Sequence, residues 1–467
     1  MGKRAYVPAA RLLDAHLGAF VAQRSNRMNV RTPVRRAARA FLGLLPLVGA
    51  VLSILWMLLA KNRPEMWGAA IAAWMLDCIT HPLGAIVLIQ ALYTALQSLL
   101  WQRYRPFERP ADAAWPKVTV VIPAFNEGPM VQRSIRSVAR SSYPADKLEI
   151  IVVDDGSRDD TFFHMQRLRR EFPNLVRLIR FSSNRGKRAA LAEGFRQASG
   201  EILLTIDSDS EVEPRTIAEM VAPFLADARV GGVAGRVAVL NRDSTISRML
   251  EVHYALAFDF GRASQSVYRA VSCCPGALSA FRRAAVVPHL DEWTSQTFLG
   301  RPVGHGEDQA LTNIVLRQGY DTVYQRRATV HTLAPTTYRQ LSRMFLRWDR
   351  SYIVEGFTFA KFMFTRYRDR NRVLPIVTFV ASNLRLVLFT WGLMQLPFAF
   401  AGDVSTHIQA AVSLCVGALF SAAYYLRIER SFRFAYGLLY AIFSACFLQW
   451  ILPWALITVR DERWGTR

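Results

Sequence analysis

The stretch EILLTIDSDSEV, Glu201 to Val212, runs from apolar to acidic within a few residues. Ile202 to Ile206 reads as a short interior strand. Asp207, Asp209, Glu211 and Glu213 crowd where it stops. Like charges this close repel, and burial sharpens the repulsion, so the cluster calls for a positive partner. Asp207 and Asp209 alternate along the chain with Ser208 between them, which lets both carboxylates reach one hard ion. Mg2+ and Mn2+ are held by one or two carboxylates while phosphate oxygens fill the remaining positions. A cation carried in with a nucleotide diphosphate would balance the charge. Taken alone, a D-x-D also reads as a pair of turn caps.

A second cluster, VVDDGSRDDT from Val152 to Thr161, sets Asp154 and Asp155 at the end of another strand, with Gly156 permitting a tight turn. A carboxylate there is placed to accept from the imide N–H of a uracil; an ordinary Asp-Gly turn is the plainer reading. NRGKRAA, Asn184 to Ala190, offers Lys187 and Arg188 at a helix start. Such positions suit phosphates, although surface charge alone accounts for the same residues.

The elements that must position these groups follow from periodicity. KVTVVIPAF, LEIIVVDDGS, LVRLIRF and EILLTI are short β-branched runs, and amphipathic helical stretches separate them. Alternation of this kind predicts an α/β fold, a wound and mostly parallel sheet with helices on both faces. Ligands of such sheets sit at the carboxyl ends of the strands, where both acid clusters fall.

The chain of 467 residues carries a net charge of +22, yet 52% of it is hydrophobic. Residues 1–40 form a basic segment with Asp14 as its single acid. The uncharged tract Phe41 to Ala60 follows, about as long as a hydrocarbon core is thick. Basic residues ahead of a span favour a cytoplasmic N-terminus. The segment 41–101 therefore reads as transmembrane helices, with the second span at 82–101. Residues 117–335 form the cytoplasmic domain, 336–372 amphipathic interfacial helices, and 374–459 further spans at about 374–401, 408–426 and 434–459. Asn383 and Arg385 inside the first of these hint at a water-filled path, or at snorkelling. Charge placed beside apolar spans points to membrane lipid and excludes a nucleic-acid binder. The five cysteines show no zinc-like spacing.

VIPAFNE, VVDDGS, RGKR, DSDS, CCPGALSAFRR, QTFLGRPVGHGEDQALTN and RW occur in this order between Val118 and Trp348. This series resembles the inverting, processive, membrane-embedded glycosyltransferases of family 2, above all hyaluronan synthases and nodulation-type chitooligosaccharide synthases. The resemblance implies a GT-A-like cytoplasmic sheet flanked by transmembrane and interfacial helices, in a multi-pass protein of the inner membrane. It implies that Asp154 or Asp155 contacts uridine, with Lys187 and Arg188 beside it, and that Asp207 and Asp209 bind Mg2+ or Mn2+ and the diphosphate. Asp308 would be the general base, although locally it also reads as a helix N-cap. Arg347 would stabilise the departing UDP. Trp348 would stack on the acceptor sugar, with Cys274 and Gly276 lining the acceptor site.

The implied donors are UDP-GlcNAc, alone or with UDP-GlcA, and the implied product is a β-linked polysaccharide passed through the protein's own spans. A mannuronan-type polymer is the near rival, and a non-catalytic sugar-nucleotide sensor the distant one. One position departs from the family pattern. Met344 stands where a Gln usually precedes the Arg-Trp pair, and a thioether cannot replace an amide's hydrogen bonds. Either Gln340 compensates, or the nucleotide contact is altered.

Overall fold

The computed structural model describes residues 82–399, 424–427 and 432–461. The expected basic segment and the span at Phe41 to Ala60 lie outside these residues, as does the tract at 408–426 apart from 424–426.

Ten strands are present among the described residues: β1 (Val118–Ala124), β2 (Leu148–Asp154), β3 (Val176–Arg180), β4 (Ile202–Ile206), β5 (Ser210–Val212), β6 (Val230–Val239), β7 (Leu278–Arg282), β8 (Thr297–Phe298), β9 (Arg301–Pro302) and β10 (Asp321–Thr332). Eight of them form one sheet in the order β3-β2-β1-β4-β7-β6-β10-β5. The first four are parallel, as expected. The sheet as a whole is mixed, because β7 runs antiparallel to both β4 and β6, and β5 antiparallel to β10.

The principal helices are α1 (Pro82–Arg103), α2 (Met130–Ala139), α3 (Thr161–Glu171), α4 (Lys187–Gln197), α5 (Thr216–Ala226), α6 (Thr245–Tyr254), α7 (Glu307–Arg317), α8 (Tyr338–Phe362), α9 (Val373–Ala399), α10 (Phe434–Phe447) and α11 (Ile451–Ile457). The sheet is buried on both faces, which explains the unbroken β-branched runs. Val120, Ile122, Ile150 and Leu204 pack on one side. Val121, Ile151, Val153 and Leu203 pack on the other. Helix α2 shows how a helix joins this core: Val131, Ile135 and Val138 recur at helical spacing and are buried.

Helix α8 begins at a capping box in which the Thr337 hydroxyl accepts from the Gln340 N–H. It is more than an interfacial element, since Leu341, Met344, Val354 and Glu355 are buried in protein while Phe357 is 58% exposed. The described parts of the tracts expected to span, 82–101 and 374–399, are helical. However, no single helix among the described residues is long and apolar enough to cross a membrane. Gln90, Thr94, Gln97 and Ser98 interrupt α1, and Asn383 and Arg385 interrupt α9. The Asn383 amide is satisfied by the Phe379 carbonyl of its own helix. Helices α10 and α11, bent by 47° at the break between them, pass the test of length and composition as a pair.

Candidate active site

The site forms at the carboxyl ends of β2 and β4. Asp154 is the last residue of β2, fully buried; one oxygen accepts from the Ser157 N–H and the other pairs with Arg180 at 3.1 Å. Asp155 is also buried, and its two oxygens accept from the N–H groups of Arg185 and Gly186 at 2.7 and 2.9 Å. Burial raises the Asp155 carboxyl above the ordinary aspartate range despite those two bonds. Asp155 thereby holds the turn that delivers Lys187. Gly156 has φ +70, and a β-carbon there would stand 2.4 Å from the Ser183 backbone, so only glycine lets the two loops meet.

Lys187 and Arg188, adjacent at the start of α4, part company. The Lys187 amine lies 2.6 Å from Asp207 Oδ1 and 3.0 Å from Glu307 Oε1. Burial opposes its charge, but Asp207 and Glu307 hold the ammonium above the ordinary lysine range. Burial likewise opposes ionisation of Glu307, and Lys187 draws that carboxyl well below the glutamate range. Arg188 does not join them. Its guanidinium turns into the protein, donating to the carbonyls of Trp293 and His305 and to Gln296 Oε1.

The segment before β7 closes the other side. Because β7 is antiparallel to β4, with Leu278 opposite Ile206, the residues leading into β7 arrive beside Asp207. Gly276 sits there, and a β-carbon on it would be 2.7 Å from the Lys187 amine. The Gly276 N–H donates to Asp308 Oδ2 at 3.0 Å, and the Cys273 thiol donates to the same oxygen at 3.6 Å. Burial, then Asp308, push the Cys273 thiol up, so it stays a protonated donor. Cys274 is fully buried in the core, and its N–H donates to Thr312 Oγ1. Glu307 and Cys273 were not singled out from the sequence. The acid preceding Asp308 in the GED run was the available signal for the first.

Asp308 lies in the first turn of α7, whose N-cap is Gly306 in the left-handed region at φ +73. The expected N-cap role is thus filled by another residue. Burial, then neighbouring Glu307, push the Asp308 carboxyl above the ordinary aspartate range.

Asp209, beyond Asp207, accepts from Thr332 Oγ1 at 3.3 Å across the β5–β10 pair. Among the described residues no three His, Cys, Asp or Glu side chains gather as a metal site. The donors present at the β4 end are hard carboxylate oxygens, which fit Mg2+ or Mn2+ completed by phosphate rather than a self-contained protein site.

Arg347 and Trp348 come from α8. The charge of Arg347 is among those lowering the Glu307 carboxyl. Trp348 packs against Tyr254, Phe258 and Phe345, with ring centroids 5.4–6.2 Å apart. Met344 is buried, and the Tyr254 hydroxyl donates to its sulfur at 3.6 Å. Gln340 does not compensate for it, because its amide oxygen accepts from the N–H groups of Thr336 and Thr337 at the start of α8.

The site thus combines a wound sheet, an acid pair at one strand end and a lysine held between two acids. The glycosyl transferase family 2 profile matches residues 119–287. An N-acetylglucosaminyltransferase of Azorhizobium caulinodans is 31% identical over 75% of this chain and 87% of that protein. An N-acetylglucosaminyltransferase of Rhizobium meliloti is 34% identical over 61% of this chain and 68% of that protein. A hyaluronan synthase of Streptococcus pyogenes is 29% identical over 83% and 91% respectively. A mannosyltransferase from Pyrobaculum calidifontis, solved with GDP-Man and Mn2+, aligns with TM-score 0.53 at 23% identity over 78% of this chain and 98% of that one. That likeness carries the GT-A-like fold. The chain belongs to glycosyl transferase family 2, and it is a glycosyltransferase.

Proposed function

We propose that this enzyme is a processive inverting glycosyltransferase of the inner membrane, its catalytic domain cytoplasmic. It builds a β-linked, GlcNAc-containing polysaccharide from UDP-GlcNAc, alone or with UDP-GlcA, and passes it through its own spans. The observation carrying this reading is the convergence of Lys187, Asp207, Glu307, Gly276 and Asp308 from four separate parts of the chain. The relatives described as N-acetylglucosaminyltransferases and hyaluronan synthase support the sugar assignment.

Asp207 and Asp209 are the residues that would hold Mg2+ or Mn2+, which supplies charge neutralisation to the diphosphate when bound. Lys187 adds a positive charge at the same edge. Asp154 and Asp155 shape the uridine end by holding the turns at Ser157 and at Arg185–Gly186. Asp308 takes the proton from the acceptor hydroxyl as its oxygen bonds to the anomeric carbon. The bond from that carbon to the phosphate oxygen breaks, and UDP leaves with the electron pair from the opposite face. Arg347 stabilises the charge on the departing group. Trp348 presents a ring to the acceptor and Gly276 forms the wall of the acceptor site, whereas the expected role of Cys274 there is not met because its side chain is buried in the core.

The test is the purified protein in detergent, offered each UDP-sugar singly and in pairs, with the product digested by specific lyases. Polymer formation requiring UDP-GlcNAc supports the reading. Incorporation only from a GDP-linked donor rejects it in favour of a mannuronan-type synthase.

A further inference from the structure

The run QTFLGRPVGHGEDQALTN begins at Gln296 and ends at Asn313. Both of its terminal amides converge on one carboxylate of α8. Gln296 Nε2 donates to Glu355 Oε1 at 2.7 Å, and Asn313 Nδ2 donates to Glu355 Oε2 at 2.9 Å and to the Glu355 carbonyl at 3.0 Å. Glu355 is 1% exposed and Asn313 4%. On its far side Gln296 accepts from Arg188 Nη1 at 2.8 Å. The chain Arg188–Gln296–Glu355–Asn313 thus ties four pieces together: α4, which carries Lys187; the loop into α7; α7 itself, which carries Glu307 and Asp308; and α8, which carries Arg347 and Trp348.

We infer that Glu355 is a positioning residue for sugar transfer, setting α8 against α7 so that Arg347 and Trp348 are in register with Asp308. The inference rests on the glycosyl-transfer reading given above. A buried carboxylate is costly to keep, and here each of its two oxygens accepts from a different amide, whereas a glutamine offers only one acceptor oxygen. Arg188 connects to it through Gln296. A glutamine at 355 leaves one amide N–H2 facing the Gln296 N–H2. A glutamate at 296 repairs that clash without moving any atom far: it accepts from Arg188 and from the new amide, while Asn313 still donates to residue 355.

The test compares wild type, Glu355→Gln and the exchanged pair Gln296→Glu/Glu355→Gln, each as full-length protein in detergent. Glu355→Gln is expected to slow sugar transfer roughly 10- to 100-fold, the scale of an ångström-sized misplacement. Hydrogen exchange quickens over 296–313 and 338–362 but not over 118–212. The exchanged pair restores rate and protection together. A wild-type rate in Glu355→Gln overturns the inference, as does an exchanged pair that folds yet transfers no faster than the single variant. If the single variant does not accumulate, the exchanged pair alone decides by the same criterion. If wild type transfers none of the UDP-sugars, the substrate reading falls, and hydrogen exchange alone decides the role of Glu355.

Discussion

Gly276 and Lys187 meet across the mouth of the site, so closely that a β-carbon at 276 would fall 2.7 Å from the lysine amine. The obstacle is the far end of a flexible side chain, so Gly276→Ala is expected to fold. Lys187 must then leave its place between Asp207 and Glu307. We expect the donor KM to rise roughly tenfold, a loss of about 1.4 kcal/mol, and the thermal midpoint to fall because buried Glu307 loses its cation. Steady-state kinetics alongside a melting curve check this.

Asp308→Asn should abolish sugar incorporation while UDP still binds. Removing a general base costs about 10²- to 10⁴-fold, and the Asn side chain keeps one acceptor oxygen for the Gly276 N–H. Incorporation of radiolabelled sugar at the wild-type rate would remove Asp308 from the chemistry.

The base must be ionised to act, and burial and Glu307 raise its proton affinity. Rate should therefore fall as pH drops through a value above the ordinary aspartate range. The sign for stability is the opposite: an aspartate with a raised folded-state pKa binds a proton more readily folded than unfolded, so its ionisation destabilises the native state as pH rises through that window. Cys273→Ala removes one donor to the carboxylate and should move the acid limb of the kcat/KM profile further up, whereas Cys273→Ser should not.

Chelation of divalent ions should stop turnover, and added Mg2+ or Mn2+ should restore it. Full activity in EDTA would take the metal role from Asp207 and Asp209.

Met344→Gln tests the departure from the family pattern. Tyr254 can donate to the new amide oxygen, but the amide N–H2 enters a pocket lined by Tyr254 and core side chains. An unsatisfied buried donor costs about 1–3 kcal/mol, so the melting midpoint should fall, whereas Met344→Leu should keep it. An unchanged midpoint in Met344→Gln would mean that the pocket holds an acceptor for that amide.

The parallel half of the sheet and both acid pairs were legible in the sequence, because β-branched runs and strand-end acids are local signals. So was Lys187 at a helix start. The sequence could not tell Lys187 from Arg188: successive helical residues point about 100° apart, and only packing decided which one faces the acids. It could not place Gly276 and Cys273 against Asp308, because that contact depends on β7 entering the sheet antiparallel between β4 and β6. Nor could it foresee that Gln296 and Asn313 close on Glu355, dozens of residues away. Periodicity records which face of an element is buried; which distant elements share that face is settled only when the chain folds.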